Sequence, residues 1–345
     1  MSTMVIENEK IKGRDLLKRE QAITFVKNTF SEHLKRNLNL IPISSPLVVL
    51  DGTGINDDLN GIERPVSFPI KALNERKAVV VHSLAKWKRM RLKDLEIEEG
   101  EGILTNMSAL RPDEDYSPIH SIFVDQWDWE KRIRPDQRNL AFLKETVRSI
   151  YDALTNTEKA VEEEYPHLTS ILPKKITFIS SEELLQLYPD KTPKQREHAI
   201  AEKHGAVFIY GIGAILSNGT AHDGRAADYD DWSTPNDNGF LGLNGDILVW
   251  NPILKCSFEL SSMGIRVNKD ALLKQLTLTN SLDRQELIFH KMLLENLLPD
   301  SIGGGIGQSR VCMFMLDKAH IGEVQVSVWD QSIREQLKNQ DIHLL

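Results

Sequence analysis

Between residues 14 and 40 the apolar positions Leu16, Ile23, Val26, Phe30, Leu34 and Leu38 recur at spacings near three, four and seven, with Lys, Arg and Glu between them. That period predicts an amphipathic helix whose stripe needs a surface to cover. Pro42 and Pro46 stop it and flank an extended stretch into LVVL. Asp51-Gly52-Thr53-Gly54 and Asn56-Asp57-Asp58-Leu59-Asn60-Gly61 then read as turns in an Asp-rich loop. VSFPIKAL and KAVVVH are short strand candidates, and HSLAKWKRMRL opens a helix with Ser83 as its N-cap. The segment GILTNMSALRPDEDYSPIHSIFVDQWDWE reads as strand, loop and strand, with Gln126 and Asp128 on one face of the returning strand.

Further on, Leu140, Leu143, Val147, Ile150 and Leu154 mark the apolar side of a helix over 137–165. ITFIS (176–180) and AVFIYGI (206–212) are buried-strand candidates separated by a helix at about 181–204. The loop AHDGRAADYDDWSTPNDNGFLGLNG, carrying Asp228, Asp230 and Asp231, is too long for a simple connection, which marks it as functional or disordered. Residues 269–294 are amphipathic, and SIGGGIGQSRVCMFML runs from a glycine-rich turn into a buried helix. Several strands are joined by short turns, so an antiparallel sheet flanked by helices is expected rather than a doubly wound parallel one.

Leu243–Val267 concentrates the chemistry. A hairpin around Asn251-Pro252-Ile253-Leu254 would pair Trp250 with Lys255 and set Asp246 opposite Glu259. Opposed carboxylates repel unless a cation lies between them, so the pair reads either as a divalent metal site, with magnesium favoured by all-oxygen ligands, or as two acids pointing into water at a sheet edge. Lys255, Ser257, Glu259 and Ser261 share one face and Cys256, Phe258 and Leu260 the other, giving a polar floor above an apolar core.

Composition narrows the class. The chain has 345 residues, 41% apolar and 27% charged, ordinary for a globular protein and compatible with one large domain. A formal charge of -8 supplies no basic field for nucleic acid. Cys256 and Cys312 lack metal-ligand spacing and lie in apolar segments, which predicts buried reduced thiols. MSTMVIENEK has no apolar signal core and no later run reaches the roughly 18 apolar residues of a membrane span, so a cytoplasmic location is expected.

The remaining candidates each carry two readings. Gly303-Gly304-Gly305-Ile306-Gly307 before a helix lets backbone approach an anionic ligand, or makes a tight packing turn, and it fits neither the Walker nor the dinucleotide pattern. Arg310, one turn on, could stack on a base or clamp a phosphate. Arg111 is a surface salt-bridge residue or an arm over Gln126 and Asp128. Lys86-Trp87-Lys88-Arg89 is a solvated helix face unless a sheet ligand lies under it, and Asp57 and Asp230 taken singly are solvated loop acids.

Together the strings HSLAKWKR, ALRPDED, VDQWDWE, YDDWSTP, LNGDILVWNP, FELSSMGIRV and GGGIGQSR resemble the ammonia-dependent, AMP-forming aspartate–ammonia ligases, also called asparagine synthetases of type A, from about residue 18 to the C-terminus. The resemblance implies an α+β fold like the catalytic core of class II aminoacyl-tRNA synthetases, a mixed, largely antiparallel sheet flanked by helices in one catalytic domain over 1–345, with 1–17 as a partly flexible extension. It implies a cytoplasmic homodimer without nucleic-acid or membrane partners, acting on L-aspartate, ATP and ammonia with Mg2+. By that resemblance Arg111 bridges the attacking carboxylate and the α-phosphate, Arg310 holds the nucleotide with Gly304, Gly305 and Gly307, and Asp246 and Glu259 bind magnesium. Lys88, Gln126, Asp128, Asp230, Ser262 and Arg266 would surround aspartate, and Asp57 would take the proton of ammonium. The alternatives are a tRNA-dependent adenylating enzyme of the same fold, against which the acidic balance and lack of an added domain argue, and a non-catalytic amino-acid or nucleotide sensor, against which the presence of Arg111, Arg310, Asp246 and Glu259 argues.

Overall fold

The computed structural model describes residues 2–57 and 63–345, with side chains of the first helix described from residue 13. The chain runs α1 (Ser2–Leu38), β1 (Leu40–Pro42), β2 (Val48–Leu50), β3 (Ser67–Ile70), β4 (Arg76–Val80), α2 (Ala85–Asp94), β5 (Gly102–Leu110), β6 (Phe123–Arg132), α3 (Leu140–Glu164), β7 (Thr177–Ser180), α4 (Ser181–Leu187), α5 (Pro193–His204), β8 (Ala206–Tyr210), β9 (Asn244–Asn251), β10 (Cys256–Ile265), α6 (Lys269–Leu278), α7 (Ile288–Leu294), β11 (Ser301–Gly307), α8 (Gln308–Met315) and α9 (Gln331–Asn339). Among the described residues the main sheet has the order β1-β5-β6-β11-β10-β9-β8-β7, and β2-β4-β3 form a smaller one. Pairing in the main sheet is antiparallel except at its two ends, where β1 joins β5 and β7 joins β8 in parallel.

One face of the sheet is apolar because alternate residues of each strand are. Trp127, Trp129, Phe208, Ile247, Val249 and Phe258 meet Ile23, Val26, Phe30 and Leu34 of α1, Leu143, Val147 and Ile150 of α3, and Val311 and Cys312 of α8. Phe30 lies 4.5 Å, centroid to centroid, from Trp127. Truncating a ring so enclosed costs about 3–5 kcal/mol. α1 ends where Asn39 takes a left-handed conformation, φ 58°, which turns the chain into the edge strand β1.

The opposite face is apolar only at its ends. Leu184, Ile200 and Ala201 cover Val207, Ile209 and Leu248 on one side, while Val81 and Leu84 pack on Met107 and Ala109 on the other. Between them β6, β11 and β10 expose a polar strip to a cleft. No helix among the described residues is long and apolar enough to cross a membrane.

Several expectations change in detail. The helix expected over 181–204 is split at Pro193, whose ring cannot continue α4 but suits the first turn of α5 capped by Thr192. Residues 269–294 likewise break into α6, a 3-10 turn and α7. Ser83 does not cap α2: its Oγ accepts from Ala85 N at 3.2 Å, and Leu84 occupies the cap position. The glycine-rich segment is no turn but the central strand β11, and α9 carries a helix that was not expected. The turn expected at Asn56–Gly61 extends outside the described residues.

Candidate active site

The hairpin of β9 and β10 forms in a different register from the expected one. Asn251 pairs with Cys256 and Trp250 with Ser257, so the four turn residues are Pro252–Lys255, with Lys255 at φ 51°. That turn already sets Glu259 opposite Leu248, and a bulge at Leu260 then shifts the pairing beyond it, leaving Asp246 opposite Ser262. One extra residue moves every later side chain to the other face. Ser262 therefore replaces Ser261 beside Glu259 on the cleft wall, and the two acids come near each other diagonally instead of directly.

The floor of the cleft comes from β6, where Gln126 and Asp128 line it, Glu130 lies fully buried on the same face, and the core residues Trp127 and Trp129 alternate with them. Beside them lie the cleft-facing glycines of β11. A Cβ on Gly303 would strike the Glu130 carboxylate, and one on Gly305 the Gln126 amide. The glycine run is required because long polar side chains of the next strand lie across it.

Cations close over these acids. Arg266 donates from Nη2 to Glu130 Oε2 at 2.8 Å and from Nε to Oε1 at 3.0 Å, and its Nη1 pairs with Asp230. Ser301 Oγ donates to Glu130 Oε1 at 2.7 Å. Burial acts to raise Glu130, but the charge and hydrogen bonds of Arg266 outweigh it and hold the carboxyl below its ordinary value. Asp230 is instead raised, because burial outweighs the same guanidinium. From α2, Lys88 Nζ pairs with Asp128 and donates to the Gly304 carbonyl at 3.0 Å; burial lowers its pKa against the pull of Asp128. Asp128 Oδ2 is buried with no hydrogen-bond partner. α2 is thus no solvated face: Lys86, Lys88 and Arg89 are each 1% exposed. Lys86 reaches Asp228 at 3.0 Å, where His290 and Arg284 converge, and Arg89 holds the Pro299 and Val267 carbonyls.

The other end of the cleft is less saturated. Arg111 makes no salt bridge among the described residues; its Nη2 donates to the His82 carbonyl at 3.2 Å and its Nε is buried without a partner. Arg310 donates to the Glu259 carbonyl at 3.0 Å and, across 2.8 Å, to Nε2 of His120. Burial, and then the Arg310 charge, push His120 down to about 4, so it is the neutral acceptor of that bond. Asp246 pairs through Oδ2 with Arg225, and its Oδ1 is buried without a partner. Burial and then the nearby Glu259 raise it to about 7 against the pull of Arg225.

These residues fit a divalent cation of the magnesium type. Asp246 and Glu259 offer hard oxygens with one orphaned acceptor, while no group of three or more His, Cys, Asp or Glu among the described residues is arranged to hold a metal alone. Such a site suits an ion that takes its other ligands from water and substrate phosphates.

Lys88, Arg111, Gln126, Asp128, Asp230, Glu259, Ser262, Arg266, Gly304, Gly305, Gly307, Arg310 and Asp57 all line this one cleft of about 350 Å³; Asp246 does not line it and meets it through Arg225, which does. Asp57 and Asp230 are not solvated: each is 2% exposed. Sequence reading passed over Glu130, His120, Arg225 and Tyr229. Glu130 had a signal, since it continues the two-residue alternation of Gln126 and Asp128. The others had none, because loops bring them in.

Known proteins share both the sequence and the architecture. The family model described as aspartate–ammonia ligase matches residues 17–341. The chain is 56% identical over 324 residues to the aspartate–ammonia ligase of Parabacteroides distasonis, covering 94% of each chain, and 55% identical over 326 residues to that of Clostridium perfringens, again 94% of each. Among solved structures it superposes on the asparaginyl-tRNA synthetase of Entamoeba histolytica with TM-score 0.64 at 15% identity, covering 92% of this chain and 69% of that one. The Pyrococcus horikoshii asparaginyl-tRNA synthetase complexed with asparaginyl-adenylate gives 0.64 at 15%, covering 89% and 68%. At such identities these likenesses speak for the fold, that of a class II aminoacyl-tRNA synthetase catalytic core. The long match to the family model and the identity to its members over almost the whole chain decide the lineage: this chain belongs to the aspartate–ammonia ligases.

Proposed function

We propose that the chain makes L-asparagine from L-aspartate, ammonia and ATP through a β-aspartyl-adenylate, releasing AMP and pyrophosphate. One observation carries the reading: a single cleft joins a floor of paired buried acids and cations to an end armed with Arg111 and Arg310. The first suits a zwitterionic dicarboxylate and the second a polyphosphate.

In the first step an oxygen of the aspartate side-chain carboxylate bonds to the α-phosphorus and the bond to pyrophosphate breaks. Two anions must meet, and Arg111, with its unpartnered Nε, is the group to bridge them. Arg310, oriented by neutral His120, holds the nucleotide from the other side. Asp246 and Glu259 would hold magnesium, whose charge would neutralise that of the phosphates. The orphaned Asp128 Oδ2 accepts from the aspartate ammonium; Lys88, Gln126, Ser262 and Arg266 serve its carboxylates, and Asp230 holds Arg266 in place. In the second step ammonia nitrogen bonds to the activated carbonyl carbon and AMP leaves with the bridging oxygen. Asp57, buried at the rim, takes the proton ammonium must lose. Asp57→Asn should then show its largest loss at low ammonium and low pH, and full activity across both would remove it from this role.

The chain acts in this reading as one cytoplasmic catalytic unit and as a homodimer. The exposed edge of β1 and the proline-bounded stretch after it, with Ile41 44% and Leu47 56% exposed, offer the surface for pairing. Light scattering reading a monomer at micromolar concentration would remove the dimer.

The deciding experiment incubates the protein with ATP, magnesium and L-aspartate, with and without ammonium. Asparagine and AMP in equal amounts only with ammonium are expected. ATP–pyrophosphate exchange without asparagine would point to a tRNA acceptor, and no turnover to a sensor.

A further inference from the structure

Beside Glu259, which stands 3.8 Å from Arg310, the Asp246 carboxylate already holds a cation of the protein's own. Arg225 reaches it from the long loop between β8 and β9, and its Nη2 pairs with Asp246 Oδ2. Its Nη1 donates to the Gly224 carbonyl at 2.9 Å and stands 3.6 Å from Asp223. The loop is shaped for this approach: Gly213, at φ +107°, has no room for a Cβ, which would lie 2.9 Å from the Arg225 Cβ.

The fit in charge is good and the fit in hydrogen bonding is poor. An arginine commonly satisfies a carboxylate with two parallel bonds, yet the Arg225 Nε is buried without a partner and so is Asp246 Oδ1. A donor and an acceptor are thus both left over in one buried pair, unlike Arg266, which grips Glu130 through Nε and Nη2. Neutralisation without saturation describes an occupant that can be exchanged. Asp246 and Glu259 lie on the central strands β9 and β10, so they stay where they are; Arg225 lies on a loop and can move.

We propose that Arg225 is a built-in counter-cation, which neutralises Asp246 and Glu259 in the nucleotide-free enzyme and is exchanged for a divalent cation only when that ion arrives with a polyphosphate. The metal alone must displace a guanidinium for two carboxylates, whereas the metal–nucleotide brings anionic oxygens that the displaced Arg225 can meet in the same cleft. Binding of metal and of nucleotide are thereby made interdependent, and free divalent ions are kept from the site. This rests on the proposed metal role of Asp246 and Glu259.

The test is binding of Mn2+, read by electron paramagnetic resonance and calorimetry, to the whole protein with and without a non-hydrolysable ATP analogue. The wild type is expected to bind Mn2+ weakly alone. Arg225→Gln should bind it at least tenfold more tightly without nucleotide, Arg225→Lys should stay near the wild type, and adding Asp246→Asn to Arg225→Gln should abolish the gain. Thermal unfolding of each variant shows that it is folded; should Arg225→Gln fail to fold, Arg225→Met carries the same expectation. If the neutral variant binds free Mn2+ no more tightly than the wild type, while Asp246→Asn weakens Mn2+ binding in the presence of the analogue, the exchange is overturned and the metal site stands. If Asp246→Asn and Glu259→Gln both leave that ternary binding unchanged, the metal site falls and the exchange with it.

Discussion

The two ends of the cleft hold similar residues in opposite states. At the floor, Arg266, Lys88, Glu130, Asp128 and Asp230 are almost fully buried and matched to one another, three acids to two cations. At the other end Arg225 approaches Asp246, Arg310 approaches Glu259 and Arg111 reaches the His82 carbonyl, and buried polar atoms are left without partners. A floor so closely paired, with Asp128 Oδ2 as its leftover acceptor, is held in place before any ligand arrives, which suits discrimination among small zwitterions. An end left unsaturated awaits charge that a ligand must bring, which suits stabilising phosphates that change during reaction.

The comparison predicts first that the floor fails structurally. Arg266→Ala strands Glu130 and Asp230 as buried charges, and should lower stability by about 3–5 kcal/mol in denaturant unfolding. A loss below about 1 kcal/mol would show that the floor is not preformed. Arg111→Ala should behave oppositely: its unfolding midpoint stays near the wild type while kcat/KM for AMP formation falls about 10²–10³-fold. A large loss of stability there would erase the distinction between the ends.

Smaller effects sharpen it. Gln126→Ala removes a neutral floor donor worth about 1 kcal/mol, so KM for aspartate should rise severalfold with KM for ATP unmoved; an equal rise in both would mean that the ends are not separate. The smallest effect is in pH. His120 is held at about 4, below its ordinary 6.5, so the folded state binds fewer protons than the unfolded between those values. Its contribution is full above about 6.5 and declines as pH falls towards about 4. Stability of the wild type relative to His120→Gln, which keeps an acceptor but cannot titrate there, should decline only in that window. An imidazole Cε1 proton titrating near 6.5 by NMR would refute it.

Legibility in sequence differed along the same line. The floor strand was readable because a two-residue period places Gln126 and Asp128 together whatever covers them. That α2 would bury Lys86, Lys88 and Arg89 was not, since a basic helix face has the same pattern in water and over acids. Asp246 and Glu259 come near each other but not in the expected register, because the turn falls one residue later than expected, at Pro252–Lys255, and neither that shift nor the Leu260 bulge leaves a mark in composition. Gly303 to Gly307 showed that bulk was excluded and not by what; the answer is Glu130 and Gln126 on the neighbouring strand.

By itself the sequence determined many of the elements and the lineage: periodicity in α1, α3 and the strands follows from local stereochemistry, and the long strings of residues around Arg111, Asp246 and Arg310 carry the likeness to the family. Tertiary structure alone decided which charges meet. Arg225 with Asp246, Arg266 with Glu130 and Asp230, and Lys86 with Asp228 are pairs distant in sequence. A charge's partner, and hence its protonation and freedom to bind, depends on burial and on contacts between elements, which no local pattern encodes.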